Sequence, residues 1–262
     1  MDLDPYRTYC ARFGAAYHQT IISNWNDDRF KNPRFFKRGS YSSVYLCWDN
    51  QTGSDNAIVK YIPLPKPLTT ELRQRIHREM LARQTLEHPN VIRTIDYRWG
   101  DEQLLPNFKF AMPRIGVSPS TDLARHLTNC GRLSSIDTKN YMYQILQGLS
   151  HCHSRSIVHC DLRLDNLLLD ISPQTILITG FSHSIKHDDP PSPINQGSSP
   201  FITQDLLSHG MHLEPYLIEL FAELRPDALD LLVKMLKIEP TERMSAVAAL
   251  QHIYFDGFEP KL

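Results

Sequence analysis

Two kinds of apolar spacing share this chain, and they change over near its middle. In the first part the pattern suits pleated strands. Ser43-Val44-Tyr45-Leu46-Cys47-Trp48 is rich in strand formers, and Asn50-Gln51-Thr52-Gly53 is turn chemistry. Ala57-Ile58-Val59-Lys60-Tyr61-Ile62 follows as a second strand, so a hairpin is predicted in a region that becomes strand-like at Phe35. Pro63, Pro65 and Pro67 end it. Thr69 is placed to cap a helix with Glu71 in its first turn, where an acid suits the helix dipole, and that helix is expected to run to about Leu86. Further strands are predicted near Val91 to Tyr97 and Phe108 to Met112. Residues 1 to about 31 carry little pattern and read as an N-terminal extension.

The later part is helical. Met142, Ile145, Leu146 and Leu149 fall at i, i+3, i+4 and i+7, one apolar face of a helix that begins near Ser135. Leu229, Leu232, Val233 and Leu236 repeat the spacing, with Pro226 at a first-turn position where its missing N–H costs nothing. Ser245 introduces a short helix reaching about Gln251. Between them, Lys186 to Pro200 contains Pro190, Pro191 and Pro193 and reads as a loop. No repeat of solenoid length is visible. Strands first and helices later predict an α+β chain of two unlike lobes, a small β-rich one over about 32–112 and a mainly helical one over about 117–262.

Composition narrows the chemistry. At 262 residues with 41% apolar content, the chain can bury a sizeable core. A net charge of −1 gives no electrostatic reason to expect nucleic acid or an anionic membrane as partner. Five scattered cysteines, an odd number, point to reduced thiols rather than a disulfide framework. His151-Cys152-His153 and His159-Cys160 cluster, but their spacing fits no common zinc pattern. The first residues lack the basic-then-apolar order of a secretory signal, and no apolar run approaches ~18 residues, so a cytoplasmic or nuclear location is expected.

The most specific signal is His159-Cys160-Asp161-Leu162-Arg163-Leu164-Asp165-Asn166, followed by Thr179-Gly180-Phe181-Ser182. It resembles the H-R-D-L-x-x-x-N catalytic loop and the D-F-G turn of the protein kinases. The resemblance runs in order from about residue 35 to 258. Its tail, Glu239-Pro240-Thr241-Glu242-Arg243-Met244-Ser245-Ala246, is nearest in style to the cyclin-dependent and mitogen-activated serine/threonine kinases. It implies a two-lobed kinase-like fold, ATP as nucleotide, magnesium as metal, and a protein substrate or protein partner. By the same resemblance Gly39 and Val44 belong to the glycine-rich loop over the phosphates, and Lys60 pairs with the phosphates and with the helix glutamate Glu79. Asp161 is the base that accepts the substrate hydroxyl's proton, Arg163 stands beside the transferred phosphate, and Asn166 is a metal ligand.

The departures are as specific as the matches. Of the three glycines of the loop only Gly39 remains, with Lys37 and Ser42 at the other places. Ile58 stands where a small residue lines the adenine pocket. Cys160 replaces the arginine that receives an activation-loop phosphate, so phosphorylation at Ser192-Pro193 or Ser199-Pro200 could not act through it. Gly180 replaces the aspartate that holds magnesium, and glycine has no ligand atom. Asp188 and Asp189 are the nearest acids that could substitute. Between Gly180 and Arg243 the chain is too short for the family's full set of helices, leaving a shortened helical lobe. Three readings follow: a degenerate, impaired member (a pseudokinase) acting as a binding or regulatory module with residual ATP binding, an active serine/threonine kinase, and a truncated product that barely folds. Oligomeric state has no signature.

Overall fold

In the computed structural model the described residues are 19, 21–23, 25, 27–39, 41–65, 67–99, 107–115, 122–170, 174–186, 223–237, 239 and 241–260. They fall into two compact units, one drawn from 1–74 and 93–119, the other from 75–92 and 120–262. The architecture is the expected α+β arrangement of a sheet-rich and a helical unit.

The first unit is a five-stranded antiparallel sheet in the order β1-β2-β3-β5-β4. Its strands are β1 (Phe30–Arg38), β2 (Ser43–Asp49), β3 (Ser54–Pro63), β4 (Asp96–Trp99) and β5 (Asn107–Pro113). Residues directly opposite across an antiparallel pair share a face, and that register sorts the sheet into two surfaces. Val44 pairs with Lys60 and Leu46 with Ile58, which places these four on one face. Tyr45 pairs with Val59 and Cys47 with Ala57 on the other. Tyr61, opposite Lys109, continues that second face.

The second face is covered from within the chain by residues ahead of position 32. Ile21 and Phe30 join its buried core with Tyr45, Cys47, Ala57, Val59, Tyr61 and Ala111. The Trp25 ring lies 5.4 Å from that of Tyr45 and 6.1 Å from that of Tyr61. Lys109 is buried there, its ammonium 4.3 Å from the Trp25 ring centre and 3.4 Å from a carboxylate oxygen of Asp27. Arg98 reaches the same Asp27 at 3.2 Å, and the fully buried Asp49 is bonded by Arg29 at 3.0 Å. A buried cation with its carboxylate and an aromatic face is a satisfied arrangement, although burial still lowers the Lys109 pKa.

Helix α1 (Thr70–Thr85) follows the proline-broken end of β3, and the Thr69 hydroxyl accepts from the Leu72 N–H at 3.2 Å. The strand expected over Val91 to Tyr97 is shorter than its apolar pattern suggests, since β4 begins only at Asp96. Val91 makes an isolated bridge to Ile178 and Ile92 donates to the Ile178 carbonyl, whereas Ile95 donates to Ala111. A backbone that changes partner over four residues cannot form one continuous ladder.

The second unit contains α2 (Leu123–Cys130), α3 (Ser135–Ser154), α4 (Pro226–Met235) and α5 (Ala246–Leu250). Its two short two-stranded sheets pair β6 (Ile157–Val158) with β9 (Ile185–Lys186) and β7 (Leu167–Asp170) with β8 (Thr175–Ile178). Ser134 caps α3 by accepting from the Asp137 N–H, and Ser245 caps α5 by accepting from Ala248. The predicted apolar stripe of α3 serves two cores. Ile145 packs with Tyr141, Leu167, Leu169, Ile176 and Ile178, and Leu146 with Leu231, Ala246, Ala249 and Phe255. No helix among the described residues is long and apolar enough to cross a membrane.

Candidate functional site

The residues that carry the chemical signature flank the β7–β8 hairpin, so what fixes that hairpin fixes them. Asn90 is buried and donates to the Gln144 side-chain oxygen at 2.9 Å and to the Ile176 carbonyl at 3.0 Å. Its own carbonyl accepts from Ile178 at 2.8 Å. Helix α3 comes close enough to allow this because position 148 is glycine. A Cβ there would stand 2.8 Å from Ile178 Cδ1 and 3.0 Å from the Asn90 carbonyl oxygen. The end of β8, and with it Thr179 and Gly180, is thereby pinned to the helical core.

His159 ties the loop to that strand end. Its Nδ1 accepts the Asp161 N–H at 3.1 Å, so the ring hydrogen resides on Nε2, which donates to the Thr179 carbonyl at 2.8 Å. Both bonds are satisfied together by the neutral ring. Burial depresses the His159 pKa below its ordinary value, in keeping with that tautomer. Phe181 packs edge-on against the imidazole with ring centres 4.7 Å apart. Cys160 between them adopts φ 59°, a left-handed backbone that returns the Asp161 amide toward His159. Burial pushes the Cys160 thiol up, so it is held as a neutral thiol.

Asp161 and Asn166 are brought together within the loop. The Asn166 amide nitrogen donates to the Asp161 carbonyl at 2.8 Å and to its carboxylate at 3.1 Å. Asn166 also lies against Gly180. That glycine adopts φ 88° and ψ 38°, and a Cβ added to it would stand 2.5 Å from Asn166 Cγ and Oδ1. Asn166 therefore occupies the room that a side chain at position 180 would need. Arg163 is bonded at 2.9 Å to Asp165 of its own loop, and both side chains are largely exposed.

In the first unit Val44 and Lys60 share a sheet face, with Ile58 beside them opposite Leu46 and Met112. The Lys60 ammonium donates to the Tyr41 hydroxyl at 2.8 Å. Gly39 donates its N–H to the Ser42 carbonyl at 2.8 Å, closing the turn on itself. Glu79, fully buried on α1, belongs to the second unit and carries Arg83 one helical turn on, at 2.8 Å. Tyr41 and Arg83 are partners that sequence reasoning missed. The signal for Arg83 was the i, i+4 spacing, and for Tyr41 a lone aromatic at the tip of a glycine turn.

Lys60 suits a nucleotide phosphate in charge and donor number. The donor set around Gly180 does not suit magnesium, a hard cation that prefers carboxylates. Position 180 supplies no side-chain oxygen, and the Asn166 amide nitrogen, though not its Oδ1, is engaged with Asp161. Among the described residues no group of three or more His, Cys, Asp or Glu is placed to hold a metal ion. Asp188, Asp189, Ser192 and Ser199 lie outside the described residues.

Residues 34–216 match the family described as protein kinase domain. The meiosis-specific serine/threonine-protein kinase mek1 of Schizosaccharomyces pombe is 33% identical over 173 residues, covering 64% of this chain and 37% of that protein. The serine/threonine-protein kinase SRK2A of Physcomitrium patens is 28% identical over 192 residues, covering 72% of this chain and 51% of that protein. An Aurora/IPL1-related protein kinase 2 of Caenorhabditis briggsae is 27% identical over 140 residues, covering 53% of this chain and 44% of that protein. The chain thus spans about half or less of the length of these curated relatives.

Proposed function

The chain belongs to the protein kinase domain family, and from that premise we propose that it is a member impaired or lost in phosphoryl transfer, acting by binding a protein partner and retaining residual affinity for ATP. The observation that supports this reading most is the pairing of Gly180 with Asn166. The metal-holding carboxylate is replaced by a residue without a side-chain ligand, and the neighbouring amide fills its space. Losing one preorganised electrostatic stabiliser commonly costs about 10²–10³ in rate. Asp161 and Asn166 keep a role that needs no catalysis, since they hydrogen-bond within their own loop.

A second reading, an active serine/threonine kinase, draws support from one observation. Asp161 is partly exposed and its amide is held by His159, which supports reading its carboxylate as an acceptor for a hydroxyl proton. Transfer of radiolabelled phosphate from ATP to a generic protein substrate, with magnesium and with manganese, separates the two. The impaired reading expects wild type and Asp161→Ala to give the same background. Transfer by wild type that disappears in Asp161→Ala establishes the enzyme.

A further inference from the structure

The nucleotide part of that reading carries a consequence at Tyr41, a residue no motif assigns. Tyr41 sits at the tip of the turn between β1 and β2, yet only 6% of its surface is exposed. Its hydroxyl accepts from the Lys60 ammonium at 2.8 Å, and that ammonium lies 4.7 Å from its ring centre. Both contacts act on the cation that a phosphate would seek. The turn is closed in the same sense. The Gly39 N–H, an amide that would otherwise be open to a phosphate, is directed to the Ser42 carbonyl. A side chain at 39 would press on the Ser42 hydroxyl, 2.8 Å from its Cβ.

We propose that Tyr41 is a built-in competitor for Lys60: a folded-under loop tip that occupies the phosphate-binding ammonium until a nucleoside di- or triphosphate displaces it. The chemistry makes the contact reversible. A neutral phenol offers one acceptor lone-pair bond and a ring face, each a modest attraction for the ammonium. A phosphate oxygen offers a charge-assisted bond roughly twice as strong as a neutral one. Nucleotide therefore wins, but with affinity scaled down to the fraction of molecules in which the tyrosine has already left the ammonium. The proposal rests on the residual nucleotide binding of the preceding section and is independent of whether phosphate is transferred.

The test is calorimetric titration of the whole chain with ATP and with ADP, each with EDTA and with magnesium. Wild type, Tyr41→Phe, Tyr41→Ala and Tyr41→Ala/Lys60→Ala are compared. Tyr41→Phe keeps the ring and its packing, so a folding failure of the alanine variant leaves a usable comparison. The expected result is an affinity gain of about ten-fold in Tyr41→Ala and a smaller gain in Tyr41→Phe, from removal of the competing contacts. The gain must vanish when Lys60 is also replaced. Equal or weaker binding by both Tyr41 variants overturns the proposal while leaving residual nucleotide binding intact. Absence of nucleotide binding in every protein overturns both. An active enzyme would show itself separately, in the Asp161-dependent transfer assay.

Discussion

The side chain of Asn166 and the bare Cα of Gly180 are complementary, volume absent at one being filled by the other. The asparagine carbonyl group lies 2.5 Å from where a Cβ on Gly180 would stand, and its amide nitrogen is bonded to Asp161. Replacing the lost carboxylate is therefore not a single-site repair. The new residue would need a left-handed backbone, which aspartate adopts more readily than most side chains, and its Cβ would collide with the Asn166 amide group.

Gly180→Asp is accordingly expected to lower the urea midpoint and to give no magnesium-dependent rise in melting temperature. Combining it with Asn166→Ala should recover the steric part of the loss, which a double-mutant cycle in urea reads directly. A magnesium-dependent shift in Gly180→Asp alone would show that Asn166 moves aside freely.

Stability should fall on mild acidification. The pKa values of His88, His151, His153 and His159 are all lowered from 6.5, burial being the first cause in each. A depressed folded-state pKa means that the unfolded chain binds more protons. The stability these groups contribute is complete above the ordinary value and is lost as pH falls through the folded values. Urea midpoints compared at about pH 7.5 and about 5.5 should drop, and His159→Gln should flatten the slope by up to one proton. A midpoint independent of pH in that interval would contradict the neutral His159 geometry.

Asp27 should matter more than its place ahead of the sheet suggests. Its carboxylate is the counter-charge for Lys109, whose side chain is 6% exposed. Removing one member of a buried pair costs about 3–5 kcal/mol, because the other is left uncompensated. Asp27→Ala is expected to lose stability on that scale in chemical denaturation. Asp27→Leu/Lys109→Met should recover most of it. Arg98, half-exposed, can turn to solvent and needs no such rescue.

The Arg163–Asp165 pair should behave in the opposite way. Its side chains are 59% and 44% exposed, so Asp165→Ala is expected to change stability by less than about 1 kcal/mol. The same denaturation assay in low and high salt checks it. A loss several times larger would mean that the guanidinium is structural.

Much of this was legible in the residues because the signals were local. The β2–β3 hairpin shows itself in alternation and a turn, α1 in its threonine cap, α4 in its first-turn proline and α5 in its serine cap. The Asp161–Asn166 pairing lies within one loop. What escaped depended on distant partners. Leu167–Asp170 and Thr175–Ile178 are four-residue strands, too short for apolar runs to distinguish strand from helix. Helix α2 is one short capped segment without a long stripe. Nothing local in Trp25 or Asp27 announces Lys109, which is 82 positions from Asp27 along the chain. Tyr41 escaped similarly, since its partner lies 19 positions away.

The cover that Ile21, Trp25 and Asp27 lay over the sheet has a practical corollary. The family match begins at residue 34, and a fragment trimmed to that start would leave behind all three. It would bare the rings of Tyr45 and Tyr61 and strand an ammonium in a greasy bed with its anion cut away. Such a fragment invites clumping in the test tube, which would say nothing of how the intact chain behaves.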